Sequence, residues 1–376
     1  MLAAFQGFTT PHGGKKTRQD AQVIYKQLLR EKEMTIDSKT KTGIGKRRGP
    51  KVVCIGGGTG LSTLLRGLKK VTPDITAIVT VSDDGGGSGV LRGELGMPPP
   101  GDIRNCLQAL SNAEPTIEKL LAYRFSSGSL AGQSFGNLFL AAIYGISESF
   151  DKAVFKMGEV LSITGRVLPV TTEDVYLWAE FEDGSMVVGE SKIAAAKARK
   201  QSRIQCVQLA PGHVNALPEC LEAIGKAELI VLGPGSLYTS VIPNLLVSGI
   251  ADAIKHSSAV KLYICNVMTE PGETDSYSVS EHVGELFKHA GGKLFDYCLI
   301  NSEPTPPEVL KRYLKSGAEP IRDDEAAVNE MGVEIIRAPV AADLNNLVRH
   351  DPEKLAREVL RIFNEKAPTK TYGADS

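Results

Sequence analysis

The residues with the most chemical promise form one short run, Gly56-Gly57-Gly58-Thr59-Gly60. It stands between the apolar residues Val52 to Ile55 and leucines at 61, 64, 65 and 68 that repeat with helical spacing. The pattern reads as a strand, a tight turn and a helix start. Glycine lets the backbone take positive φ and lets a ligand approach the main chain, while the unpaired N–H groups and dipole of the following helix attract anions. The turn is therefore expected to hold a phosphate or pyrophosphate, with Thr59 and Ser62 adding hydroxyl donors. The spacing is a partial dinucleotide fingerprint, because Leu61 stands where the third glycine belongs, and no Gly-Lys-Ser/Thr follows as a Walker loop requires. A glycine turn that only joins strand to helix is the alternative.

A second run, Ser82-Asp83-Asp84-Gly85-Gly86-Gly87-Ser88-Gly89, follows the apolar stretch Ile75 to Val81. Asp83 and Asp84 could bond a ribose or sugar hydroxyl, hold a hydrated Mg2+, or supply a base; the alternative is a solvated acidic turn. Arg92 and Arg104 could pair with these acids or with phosphate oxygens, or lie on the surface. A third run, Gly233-Pro234-Gly235-Ser236-Leu237-Tyr238-Thr239-Ser240, repeats the physics of the first and offers further N–H and O–H donors for a diphosphate. Asn266 and Asn301 each follow an apolar run and could read a base edge or sugar, or cap a turn. No H-E-x-x-H occurs, and His213, His256, His282, His289 and His350 stand singly, so nucleophilic catalysis has no support. Trp178 reads as a packing residue.

The elements that must position these runs are legible as well. Apolar runs at Val52 to Ile55, Ile75 to Val81, Leu229 to Leu232, Leu262 to Cys265 and Tyr297 to Ile300 alternate with helix-like segments. Continuous apolar runs suit strands covered on both faces, and helical crossovers make them parallel. The expected fold is α/β, a Rossmann-like doubly wound, mostly parallel sheet, whose ligands bind outside the strand carboxyl ends. Residues 102–163 read as helical, with Asp102 as an N-cap and a second helix from Phe135 through Ile143. Two β-rich runs flank Asp183-Gly184 between Val175 and Glu190, a hairpin signature, inside an insertion spanning 167–210. A closing helix is expected from Pro352 to Phe363.

The chain has 376 residues and 42% hydrophobic composition, enough for a sizeable core, and a net charge of -1 that argues against a nucleic-acid partner. Its basic residues concentrate in residues 1–50, read as a tail; contact with nucleic acid or anionic lipid, or a native start near Met34, are other readings of that segment. Residues 51–365 form the expected domain and 366–376 a second tail. No stretch has the length of a membrane span or the apolar core of a secretory signal. The six cysteines lie mostly in apolar runs without C-x-x-C pairs, as free thiols of a reducing cytoplasm do.

Several ordered motifs carry a family resemblance. They are Gly56 through Ser62, Ser82 through Gly86, Gly101-Asp102-Ile103-Arg104-Asn105-Cys106-Leu107, Phe135-Gly136-Asn137-Leu138, Gly189-Glu190-Ser191-Lys192-Ile193, Gly233 through Ser240, and Pro243-Asn244-Leu245-Leu246. Together, over residues 51 to about 365, they resemble the YvcK branch of the CofD-like superfamily, the gluconeogenesis factors. The resemblance implies a cytoplasmic bacterial protein that binds UDP-sugars such as UDP-N-acetylglucosamine. It further implies a regulatory role in cell shape and cell-wall precursor supply during gluconeogenic growth, without a tightly bound cofactor. A cell-wall precursor enzyme or another regulatory protein would be its partner, and a homo-oligomer its state. The motifs add Gly85, Asn105 and Asn137 to the candidate ligand-binding residues. The other branch is 2-phospho-L-lactate transferase, whose matching loops read Asn-Thr-Gly-Asp-Asp and Gly-Pro-Ser-Asn-Pro. Thr80-Val81-Ser82-Asp83-Asp84 and Gly233-Pro234-Gly235-Ser236-Leu237 differ from these, while the carboxylates persist. A Mg2+-dependent transferase with Asp83 and Asp84 at its centre is the alternative function. Within the YvcK pattern, Gly87 and Val90 stand where a serine and a basic residue are expected. An NAD-binding oxidoreductase is a weaker alternative, lacking a proton-transfer histidine in a strand-end loop.

Overall fold

The computed structural model describes residues 49–200, 202–344 and 347–367; nearly all of both expected tails lies outside them. Among the described residues, seven parallel strands form one sheet: β1 (Val52–Gly56), β2 (Ile75–Val79), β3 (Arg166–Pro169), β7 (Leu229–Leu232), β8 (Val260–Ile264), β9 (Tyr297–Asn301) and β10 (Glu334–Ala338). Their order is β10-β9-β8-β7-β1-β2-β3. Every residue of β1, β2 and β7 is buried, as strands covered on both faces must be. The chain leaves β1 toward β2 and β3, then returns at β7 on the other side of β1. The carboxyl ends of β1 and β7 thus flank the point where strand order reverses, the usual ligand crevice of such sheets.

All five strands expected from apolar runs are present, the second ending at Val79 rather than Val81. β3 and β10 were not expected. Each is an edge strand with a mixed burial pattern, so neither carries a continuous apolar signal.

The helix Gly58–Leu68 buries Leu61, Leu64, Leu65 and Leu68, each contributing roughly 1.5–3 kcal/mol relative to exposure. It packs between the helices Gly101–Leu110 and Pro352–Lys366. Gly67 makes the second contact possible, since a Cβ there would lie 1.9 Å from the Pro352 carbonyl oxygen. The stretch 102–163 holds the helices Gly101–Leu110, Pro115–Ala122, Phe135–Gly145 and Phe150–Val160. Asp102 is not the N-cap of the first: Pro100 holds that position, and Asp102 sits in the first turn with its carboxylate committed elsewhere.

The hairpin signature corresponds to antiparallel β4 (Tyr176–Phe181) and β5 (Met186–Val188), turning at Gly184 with φ +77°. A third strand, β6 (Ile204–Ala210), pairs with the other side of β4 after the helix Glu190–Lys200. Half-buried Trp178 stands opposite Val188 and Gln208 in this small sheet. A small hairpin, β11 (Ala341–Leu344) and β12 (Leu347–His350), precedes the closing helix. Among the described residues, no helix is long and apolar enough to cross a membrane.

Candidate functional site

The first and third glycine runs lie against one another at the β1–β7 crevice. The Gly233 N–H donates to the Ile55 carbonyl at 2.9 Å, and a Cβ on Gly56 would lie 3.8 Å from the Gly233 Cα. Deeper in the contact, a Cβ on Gly60 would come within 2.4 Å of the Pro234 oxygen and 3.0 Å of the Gly235 Cα. Asn244 joins the two turns from below, donating from Nδ2 to the Gly56 oxygen at 3.2 Å and to the Ser240 oxygen at 2.8 Å. Thr59, Gly60, Gly235, Ser236, Asn266 and Arg349 share a cleft of about 320 Å³ that opens beside this junction.

Backbone amides come from two helix starts. Gly57 precedes Gly58–Leu68 in an extended conformation, and Gly58 takes φ +62°, which a glycine adopts without strain. After Gly235, with φ +159°, Ser236 opens the π-turn Leu237–Val241. The Asp102 carboxylate accepts a hydrogen bond from the Gly58 amide, so a carboxylate of the protein already sits at the first helix start. A Cβ on Gly57 would lie 2.5 Å from Asp102 Oδ2 and 2.9 Å from Thr80 Cγ2.

Acids stand against the same turns. Burial, followed by the charge of Asp83, raises the Asp102 carboxyl to about 6. Glu190, at the start of its helix, rises to about 7 through burial and then through Asp83, Asp102 and Asp84. Glu273 is 3% exposed, accepts from the Thr239 hydroxyl at 2.9 Å and from the Tyr238 amide at 3.3 Å, and rises to about 8 through burial and then Glu270. Carboxyls that hold a proton near neutral pH can donate as well as accept, which suits hydroxyl-rich ligands and proton transfer.

The two expected acids diverge. Asp83 Oδ1 accepts from the Gly85 amide at 2.8 Å, and its Oδ2 would be 3.0 Å from a Cβ on Gly101. Asp84 Oδ1 accepts from the Ser191 amide at 2.8 Å, tying the start of the insertion helix to the second glycine run. Among the described residues, no group of three His, Cys, Asp or Glu side chains is placed to hold a metal ion.

Several expected residues are committed to the protein's own groups, Asn266 while still lining the cleft. Ser62 is 2% exposed and donates its hydroxyl back to the Gly58 carbonyl at 2.8 Å. The Tyr238 ring is fully buried, with its hydroxyl 2.8 Å from that of Tyr277. Asn266 clamps Gly235, accepting its N–H at 3.2 Å and donating to its carbonyl at 2.9 Å. Asn301 accepts from the Val340 and Ala341 amides and donates to the Glu303 carbonyl, holding the turn beyond β10. Arg92 pairs with Asp174 at 2.5 Å and stacks on Tyr176, away from Asp83 and Asp84. Asn137 is buried and accepts from Arg104 Nε at 3.2 Å, while Asn105 is partly exposed on the helix that carries Arg104. Thr239 and Ser240 stay at the junction, the latter with Oγ 3.6 Å from a Cβ position on Gly58.

Asp102, Glu190, Asn244 and Glu273 were not among the expected site residues. The first three lie in motifs read from the sequence; Glu273 has no local signal, because its role arises from two partners on another element.

The family model described as 2-phospho-L-lactate transferase CofD matches residues 52–341. A Thermoanaerobacterium thermosulfurigenes protein is 55% identical over 315 residues, covering 84% of this chain and 97% of that protein. The Bacillus subtilis gluconeogenesis factor is 48% identical over 317 residues, covering 84% of this chain and 99% of its own. A crystal structure of a Bacillus halodurans protein superposes with a TM-score of 0.80 at 47% identity, covering 83% of this chain and 99% of that one.

Proposed function

Because the chain belongs to the CofD family and is similar to gluconeogenesis factors, we propose that it binds a UDP-sugar such as UDP-N-acetylglucosamine and acts as a regulatory protein. One observation carries the reading: two glycine turns pack together at the strand-order reversal, beside a cleft of about 320 Å³. Beyond the Gly58, Gly235 and Tyr238 amides, which Asp102, Asn266 and Glu273 already hold, the turns can present main-chain N–H groups to a diphosphate, and Arg349 on the cleft wall adds a cation. Asp83 and Glu190 are suited to sugar hydroxyls. Under this reading the protein works in the cytoplasm, as a homo-oligomer, in cell morphogenesis and cell-wall precursor supply during gluconeogenic growth. Its partner is a cell-wall precursor enzyme or another regulatory protein. Isothermal titration with UDP-N-acetylglucosamine tests the binding; absence of heat from folded protein at millimolar ligand would remove it.

A second reading draws on the family description and on the carboxyls raised toward neutral pH: group transfer of the 2-phospho-L-lactate transferase type. Here Asp102 or Glu190 would take the proton of an attacking hydroxyl. Incubation with Mg2+, a nucleotide-activated phospholactate and an acceptor should then release nucleotide. Unchanged release from Asp102→Asn and Glu190→Gln variants would dismiss those roles.

A further inference from the structure

The helix Phe135–Gly145 and Ile146 after it carry no charged side chain. One face belongs to the core, with Gly136, Asn137, Leu140 and Ile143 buried. The opposite face, at spacings of three and four residues, presents Phe135, Leu138, Ala142 and Ile146. Phe135 and Leu138 are half-buried, Ala142 is exposed and Ile146 is 77% exposed. The Phe135 ring stacks on that of Phe139, with centroids 5.9 Å apart. A helix that is apolar all round is ordinarily covered all round. The closing helix Pro352–Lys366 shows the usual surface pattern instead, with Leu355, Val359 and Ile362 inside and Glu353, Arg357 and Arg361 outside.

The uncovered apolar surface continues on the neighbouring helix Pro115–Ala122, which packs against Phe135–Gly145. Only Leu121 of that helix is buried, while Leu120 is 43% and the following Tyr123 52% exposed. Tyr123 stands at the start of the apolar helix, its carbonyl accepting the Phe135 amide at 2.8 Å. The two helices together expose on the order of 500 Å² of apolar side chain. A stable homodimer buries roughly 800 Å² per partner, about 65% of it apolar, so the face supplies what such an interface needs.

The pattern is also self-complementary. With two such helices antiparallel about a two-fold axis at the level of Leu140, Leu138 of each copy falls opposite Ala142 of the other, and Phe135 opposite Gly145. Each bulky side chain then meets a small residue, as ridges packed into grooves require. No like charges are brought together, because this helix face has none. We propose that the face built on Phe135, Leu138, Ala142 and Ile146 pairs with the same face of a second copy of the chain. The inference deepens the homo-oligomer reading by naming its surface, and it is independent of which ligand the glycine turns bind.

The test is sedimentation equilibrium of the full chain at micromolar concentration, with circular dichroism to establish that each variant is folded. Wild type should be dimeric. Ala142→Asp and Ile146→Asp, at exposed positions, should each raise the dimer dissociation constant by about tenfold or more. Leu138→Ala and Ala142→Leu should each weaken the dimer, and the double variant, which exchanges bulky and small residues, should regain most of the wild-type affinity. A dimer untouched by both aspartates overturns this surface and leaves the homo-oligomer reading standing. A monomeric wild type overturns both, and flotation of that monomer with lipid vesicles would identify a membrane surface as the occupant. A double variant weaker than either single one overturns the antiparallel pairing. Should Ile146→Asp fail to fold, Ala142→Asp decides the question.

Discussion

Gly60 and Pro234, far apart in sequence, touch so closely that a Cβ on the former would lie 2.4 Å from the carbonyl oxygen of the latter. This contact brings the two glycine turns to one crevice. In an ordinary helix, Gly60→Ala would stabilise by up to about 1 kcal/mol. Here the added methyl must push apart two backbone segments, and the expected outcome is a loss of about 1–3 kcal/mol. Urea unfolding of the variant gives the sign directly, and a gain in stability would mean that the turns separate without cost.

Asp102 links stability to pH. Its carboxyl is raised to about 6 in the fold, so the native state binds that proton more tightly than the unfolded chain. Stability from this group is fully present below the ordinary carboxylate range and is lost as pH climbs to about 6. Asp102→Asn keeps an acceptor for the Gly58 amide and has no charge to bury. It should lack that decline and exceed wild type at pH 7 by on the order of 1–3 kcal/mol. Denaturant melts at pH 4, 5, 6 and 7 check this; parallel curves for the two proteins would refute it.

Glu273 behaves in the same sense over a wider window. Buried and raised to about 8, it loses its contribution as pH rises from the ordinary range through 8. Glu273→Gln retains acceptor capacity for the Tyr238 amide and the Thr239 hydroxyl. The variant should be the more stable protein at pH 8.5 and lose that advantage at pH 5, as read by thermal unfolding.

Asp84 fastens the insertion. Its Oδ1 accepts from the Ser191 amide at 2.8 Å, and a Cβ on Gly189 would meet its Oδ2 at 2.5 Å. Asp84→Ala should cost about 1 kcal/mol, as loss of a helix-start acceptor does elsewhere, and Asp84→Asn much less. Hydrogen exchange at Ser191 should accelerate in the alanine variant alone. Equal protection in both would mean the contact holds nothing.

Local pattern made most of the scaffold legible. The apolar runs of β1, β2, β7, β8 and β9, the leucine spacing after Gly60 and the Asp183-Gly184 turn each report on neighbours a few residues away, where strand burial, helix period and turn geometry are decided. β3 and β10 escaped because edge strands are half-covered and break the apolar run.

The site was legible by residue type and illegible by direction. Ser62, Tyr238, Asn266 and Asn301 are polar at strand ends, yet they satisfy the protein's own backbone or core, because a buried polar group must find a partner wherever the fold supplies one. The sequence by itself determined where glycine turns between strand and helix would form, since such runs create them locally. Only the tertiary structure decided that Asp102, Glu190 and Glu273 would be buried against the glycine turns, with their carboxyls raised to about 6, 7 and 8. Desolvation and mutual repulsion depend on distances between elements that no stretch of sequence encodes alone.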